Sequence, residues 1–217
     1  MKLNRREFIA CTSAALAGGA MPSLRAAQSG RSARPPRILL RSSWQSVNIG
    51  DIGHTPGALR LLEVHFPEAE VTLWPGQLGH GSRELLTKGF PRLKIVEGSL
   101  GAQGKPTSPG LIKAWEETNL YLSGSGSGFP AHQHAAAFHR ATGKPVGVFG
   151  ASTDPVSGIG EGREAEGGTL EQIRAKAAKL PPTHLQGDMR YILDQAAFMF
   201  CRETTTRDYL KTQGVKT

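Results

Sequence analysis

The chain has 217 residues, 38% of them apolar or aromatic, and a formal charge of +8 at pH 7. That is enough apolar material for one α/β domain with an extension. The basic residues are not interleaved with aromatics in a patch, which argues against nucleic-acid binding, and two cysteines, Cys11 and Cys201, exclude a disulfide scaffold.

Met1 to Ala27 has the order of an export signal. A charged start contains the pair Arg5-Arg6, an apolar run from Ile9 to Met21 follows, then the helix breaker Pro22 and the small residues Ala26 and Ala27. The twin arginine resembles leaders of the twin-arginine pathway, which exports folded proteins. The run is shorter than the ~20 apolar residues a stable membrane span needs. The expected location is the periplasm or cell envelope, with the export machinery as a partner, or the cytoplasm if the leader does not function. Residues 1–26 also carry +3 of the charge, which leaves +5 on the remainder. Residues 28–36 read as an exposed linker, and residues 37–217 as the folded domain.

Ile38 to Leu40 is a short apolar run without alternation, as in a strand covered on both faces. Asn48 to Asp51 forms a turn, and Ala58, Leu59, Leu61, Leu62 and Phe66 recur at helical spacing until Pro67. Val71 to Trp74 and Leu93 to Val96 are the next strands, with a helix over Arg83 to Lys88 between them. Gly98 to Gly110 is a loop, Leu111 to Glu117 a helix and Leu120 to Leu122 the fourth strand. The loop Gly124-Ser125-Gly126-Ser127-Gly128 leads into an Ala-rich helix and the strand Val146 to Phe149. Residues 151–170 are too rich in Gly and charge to pack and read as a mobile insertion. Helices over Leu170 to Leu180, Met189 to Ala197 and Thr206 to Gln213 complete the chain, around a last strand at Phe198 to Cys201. This alternation predicts an α/β fold with a doubly wound, mostly parallel sheet.

Ligands of such sheets bind at loops beyond the carboxyl ends of the strands. There the loop Gly124 to Gly128 offers backbone N–H groups to an anion, although it completes neither a P-loop nor a dinucleotide fingerprint. At the end of the first strand, Asn48 and Asp51 are placed either to bind sugar hydroxyls or to cap the following helix. His54 is a candidate acid or base, or a plain hydrogen-bonding group. His132, His134 and His139 do not share one helix face, and no carboxylate or cysteine joins them at ligand spacing, so no metal site is expected. Cys201 reads as a small buried apolar residue.

Four segments together, NIGD after the first strand, LYLSGSGSG after the fourth, GKPVGVFGAS on the fifth and FCRETTTRDYLKTQGV at the end, resemble the polysaccharide pyruvyl transferase family. Its members show an N-x-G-D turn, a glycine-rich turn after an apolar strand, a G-K-P-V strand ending in Gly, and a segment like R-E-x-x-S-x-x-x-L-x-x-x-G-V. Thr206 stands where members usually have Ser. The resemblance implies a Rossmann-like half of a glycosyltransferase-B-like architecture. A second half, expected beyond Thr217, would hold the Arg and His that bind and protonate the donor, so the catalytic acid is not among these residues. The implied reaction moves an enolpyruvyl group from phosphoenolpyruvate onto a cell-envelope glycan as a ketal, without a cofactor. Asn48, Gly50, Asp51, Gly124, Ser125, Gly126 and Ser127 would line the interdomain cleft on the substrate side. The competing reading is an exported glycan-binding protein on the same fold without catalysis. A glycoside hydrolase lacks an evident carboxylate pair, since Asp51 and Glu63 are separated by most of a helix.

Overall fold

The computed structural model describes residues 34–153 and 169–215. The expected export signal and residues 154–168 of the expected glycine-rich insertion lie outside the described residues.

Seven parallel strands form one sheet: β1 (Arg37–Ser42), β2 (Glu70–Pro75), β3 (Lys94–Ile95), β4 (Leu120–Ser123), β5 (Gly126–Ser127), β6 (Val146–Ser152) and β7 (Phe198–Cys201). The helices are α1 (Ile49–His65), α2 (Ser82–Gly89), α3 (Pro109–Glu117), α4 (His132–Thr142), α5 (Leu170–Ala178), α6 (Gly187–Gln195) and α7 (Thr204–Thr212). Gly147 pairs with Leu122 of β4 and Phe198 of β7, while Ala151 pairs with Gly126 of β5 and Cys201 of β7. β4 and β5 therefore lie end to end along one side of β6, with β7 on the other. The spatial order is β3-β2-β1-β4-β6-β7, with β5 continuing the β4 line. This is the doubly wound Rossmann-like order, as the alternation of elements predicts.

Strand side chains alternate between two faces, and each face has its own core. Ile38, Leu40, Leu73 and Leu122 pack under α1 and α2. Leu39, Trp74, Tyr121, Val146 and Val148 pack with Leu111 and Trp115 of α3, Phe138 of α4, Ile192 of α6 and Leu210 of α7. Burying each of the larger apolar side chains contributes about 1.5–3 kcal/mol. Because both faces are covered at β1 and β4, their sequences read as unbroken apolar runs.

Most element ends fall within two residues of the sequence reading, and three differences go further. α1 starts at Ile49, not Ala58, although Gly50, Gly53, Pro56 and Gly57 disfavour helix. Asn48 caps it by accepting a hydrogen bond from the Gly50 N–H at 2.8 Å, and buried Thr55 bonds the Ser42 hydroxyl at 2.8 Å, so tertiary contact overrides propensity. β6 runs on to Ser152 through a bulge at Gly150, whose φ of +82° suits glycine. The glycine loop after β4 does not lead straight into a helix, because Gly126 and Ser127 first pair with Ala151 and Ser152 as β5.

Candidate functional site

The strand order reverses between β1 and β4, so the loops after these strands flank the topological switch point. Every non-glycine residue with positive φ among the described residues lies in a strand-to-helix loop at this carboxyl edge. They are Ser43 after β1, His80 after β2, and Phe129 and Ala131 after β5. Such conformations persist only where the surroundings enforce them, and they concentrate at functional sites.

The two loops are fastened together. The Trp44 indole N–H donates to the Ser125 carbonyl at 2.7 Å, and the Ser125 hydroxyl donates to the Gly150 carbonyl at 2.9 Å. A Cβ on Gly124 would stand 2.7 Å from the Ser42 Cβ, and one on Gly126 2.8 Å from the Trp44 Nε1. These two glycines thus allow close approach of the β1 loop. The Gly124 N–H donates to the Arg41 carbonyl and the Gly128 N–H to the Ser152 carbonyl, so neither is open to an anion. Ser127 is exposed on β5.

Across the crevice, Asn48 is exposed and its side-chain oxygen is committed to the Gly50 N–H. Asp51, in the first turn of α1, accepts a hydrogen bond from the Gln45 amide, and its other oxygen lies 3.7 Å from the Nδ1 of His54. His54 sits one turn on in the helix, not in a loop, and its Nδ1 is buried without a hydrogen bond among the described residues. Helix spacing makes this pair, because residues three apart are neighbours on one face. Ser46 bonds the His80 ring at 3.0 Å and brings the β2 loop to the same rim.

The rim continues over β6 and β7. The Ser152 hydroxyl donates to the Glu203 carboxylate at 3.0 Å, and the Thr153 N–H donates to the Thr206 hydroxyl at 2.8 Å. Thr206 is fully buried and also bonds Glu203. A serine hydroxyl would serve the same contacts.

No protein-family model matches the chain, and no curated protein does. A solved structure that does match is described as a UDP-N-acetylglucosamine 2-epimerase from Listeria monocytogenes. The identity is 18% and the TM-score 0.36, over 70% of this chain and 37% of that one. This chain thus spans little more than a third of that protein's length.

The three α4 histidines take separate partners. His132 contacts the Phe129 carbonyl, His134 accepts from Arg41, and His139 bonds the Tyr191 hydroxyl. Among the described residues, no group of three or more His, Cys, Asp or Glu is placed to hold a metal. The Cys201 thiol is pushed up to about 11, chiefly by burial and then by Glu203, which keeps it protonated.

Sequence reasoning missed Arg41 and Trp44. Arg41 ends the apolar run of β1, and its signal was parity: it follows Leu39 by two, so it faces the same core. Trp44 gave no signal, because the carbonyl it binds is distant in sequence.

Proposed function

We propose that this chain is the Rossmann-like half of a polysaccharide pyruvyl transferase-like protein and forms the acceptor wall of its cleft. The observation that carries this reading is that the four resembling segments meet in one hydrogen-bonded rim at the switch point. From Asp51 and Gln45 the rim passes through Trp44 to Ser125, then to Gly150 and Ser152, and on to Glu203 and Thr206.

In the proposed reaction, the methylene carbon of phosphoenolpyruvate is protonated and C2 gains oxocarbenium character. Two acceptor hydroxyls add to C2 while phosphate departs with the bridging oxygen. Of the two hydroxyl protons, one balances the new methyl group and the other the departing phosphate. His54, one helical turn from Asp51, takes a hydroxyl proton as general base. Asp51 and Ser127 bind the acceptor hydroxyls, and Asn48 and Gly50 hold the helix start that carries Asp51. Export through the twin-arginine route would put the acceptor in the cell envelope, and loss of periplasmic protein on changing Arg5-Arg6 to Lys-Lys would support that placement.

The test uses protein from the complete coding sequence, incubated with phosphoenolpyruvate and cell-envelope glycan. The expected result is phosphate release with a ketal methyl signal by NMR, reduced roughly 100-fold or more in Asp51→Asn and His54→Gln. Absence of both products would overturn it, and glycan binding without phosphate release would favour the non-catalytic binding protein instead.

A further inference from the structure

Behind Trp44, on the α3 and α4 side of the sheet, lies a buried group of hydrogen-bond donors that the rim does not use. Arg41 is only 8% exposed, and among the described residues it has no carboxylate partner. Its Nε donates to the His134 Nδ1 at 3.3 Å and its Nη1 to the Trp74 carbonyl at 3.0 Å; its Nη2 has no partner among the described residues. The guanidinium carbon lies 5.1 Å from the centre of the Trp44 ring and 4.7 Å from that of Trp74.

Register brings further groups to the same place. Arg41 pairs with Ser123 and Leu39 with Tyr121 across β1 and β4, so Arg41, Ser123 and Tyr121 share one face. Tyr121 is fully buried and Ser123 is 1% exposed, yet neither hydroxyl has a hydrogen-bond partner among the described residues. The indole N–H of Trp115, whose ring lies 6.3 Å from that of Trp74, is also buried and has no hydrogen-bond partner among the described residues. α4 begins beside them at His132 with no side-chain cap and no acidic residue in its first turn. A buried cation without a counter-ion, and buried hydroxyls without partners, each cost free energy that an anion would offset.

We propose that Arg41, Tyr121 and Ser123 form a site for a carboxylate- or phosphate-type oxyanion. The guanidinium supplies the charge, and its free Nη2 edge matches an oxyanion better than a halide. The two hydroxyls bind the remaining oxygens. The site does not depend on pyruvyl transfer and stands whether or not that reading holds.

The chain's three tryptophans are Trp44, Trp74 and Trp115, and all of them belong to this cluster. Tryptophan quenching by bromide in the 217-residue protein therefore reports on it, with ionic strength held by tetrafluoroborate. The expected result is a saturable quenching phase that acetate or inorganic phosphate displaces. Phosphoenolpyruvate displacing it more tightly than phosphate would mark the anionic end of a larger ligand; equal displacement would mark a free ion. Arg41→Gln should abolish the saturable phase. Should that variant fail to fold by circular dichroism, Tyr121→Phe/Ser123→Ala removes only the two hydroxyls and should weaken binding roughly tenfold. Linear quenching alone, failure of both oxyanions to displace bromide, or unchanged affinity in the folded variants would overturn the proposal.

Discussion

At single residues, close approach and burial set the consequences of substitution. Gly124 faces the Cβ of Ser42, a fully buried residue on a central strand whose hydroxyl is tied to Thr55. A methyl group there meets a fixed atom, not the end of a flexible side chain, so Gly124→Ala should destabilise by about 1–3 kcal/mol. Urea unfolding measures this, and stability within 0.5 kcal/mol of wild type, about the effect of an ordinary surface substitution, would refute the packing role. His134 acts through pH. Burial, then the charge of Arg41 and then His132, lower its pKa from 6.5 to about 4, and its Nδ1 accepts the Arg41 Nε–H, which places its own proton on Nε2. The unfolded chain binds a proton at this residue below 6.5 and the folded chain only below about 4. Stability at this site is therefore complete above pH 6.5 and falls as pH drops from 6.5 towards 4. His134→Asn keeps an acceptor for Arg41 without titrating. Thermal melts across that window should show a shallower acid slope in the variant, and identical slopes would rule His134 out as a source.

At the level of elements, caps decide what the loops hold in place. Asn48→Ala should cost about 1 kcal/mol by uncapping α1, whereas Asn48→Asp, which caps equally well, should leave stability within a few tenths. Denaturation of the two variants thus measures the capping role, and glycan binding by Asn48→Asp measures any contact role beyond it. Lys144 shows a second kind of cap: its ammonium donates to the Trp115 and Glu116 carbonyls at 3.0 and 2.6 Å and closes the α3 C-terminus. The order of strands and helices was legible because each strand is a short apolar run and each later helix has a 3.6-residue pattern. The start of α1 was not, since its glycines and Pro56 hide it and the Ser42–Thr55 contact that secures it is tertiary. β5 was hidden because Gly and Ser rarely make strands, and only pairing with β6 makes one here. The site divides in the same way. Asn48, Asp51 and the glycine loop fall at the switch point because motif and topology coincide, and Arg41 was open to a parity argument, while Trp44 became visible only once β1 and β4 were neighbours.

Across the whole molecule, the two faces of the sheet are unequally covered. On the α3–α4 side the core runs continuously from Trp74 to Val215. On the other side α1 and α2 cover β1 to β3, and a shallow apolar groove of about 50 Å³ runs from α1 over β4, β6 and β7. Its walls include Leu61, Leu62, Phe66, Leu120, Phe149 and Phe198. Apolar surface of this kind binds uncharged apolar dyes, because transfer from water is favourable by about 25 cal/mol per Å² buried. Nile red should therefore brighten and shift to the blue with the native protein. Leu61 lines the groove and is 42% exposed, so Leu61→Gln should reduce dye binding at little cost in folding. Val64 lies on the same helix, 63% exposed, but does not line the groove, so Val64→Gln is the matched control and should leave dye binding unchanged. Equal losses in both variants would mean that the dye reports exposed α1 surface in general. Loss confined to Leu61→Gln would assign it to the groove and show that the groove is accessible in solution.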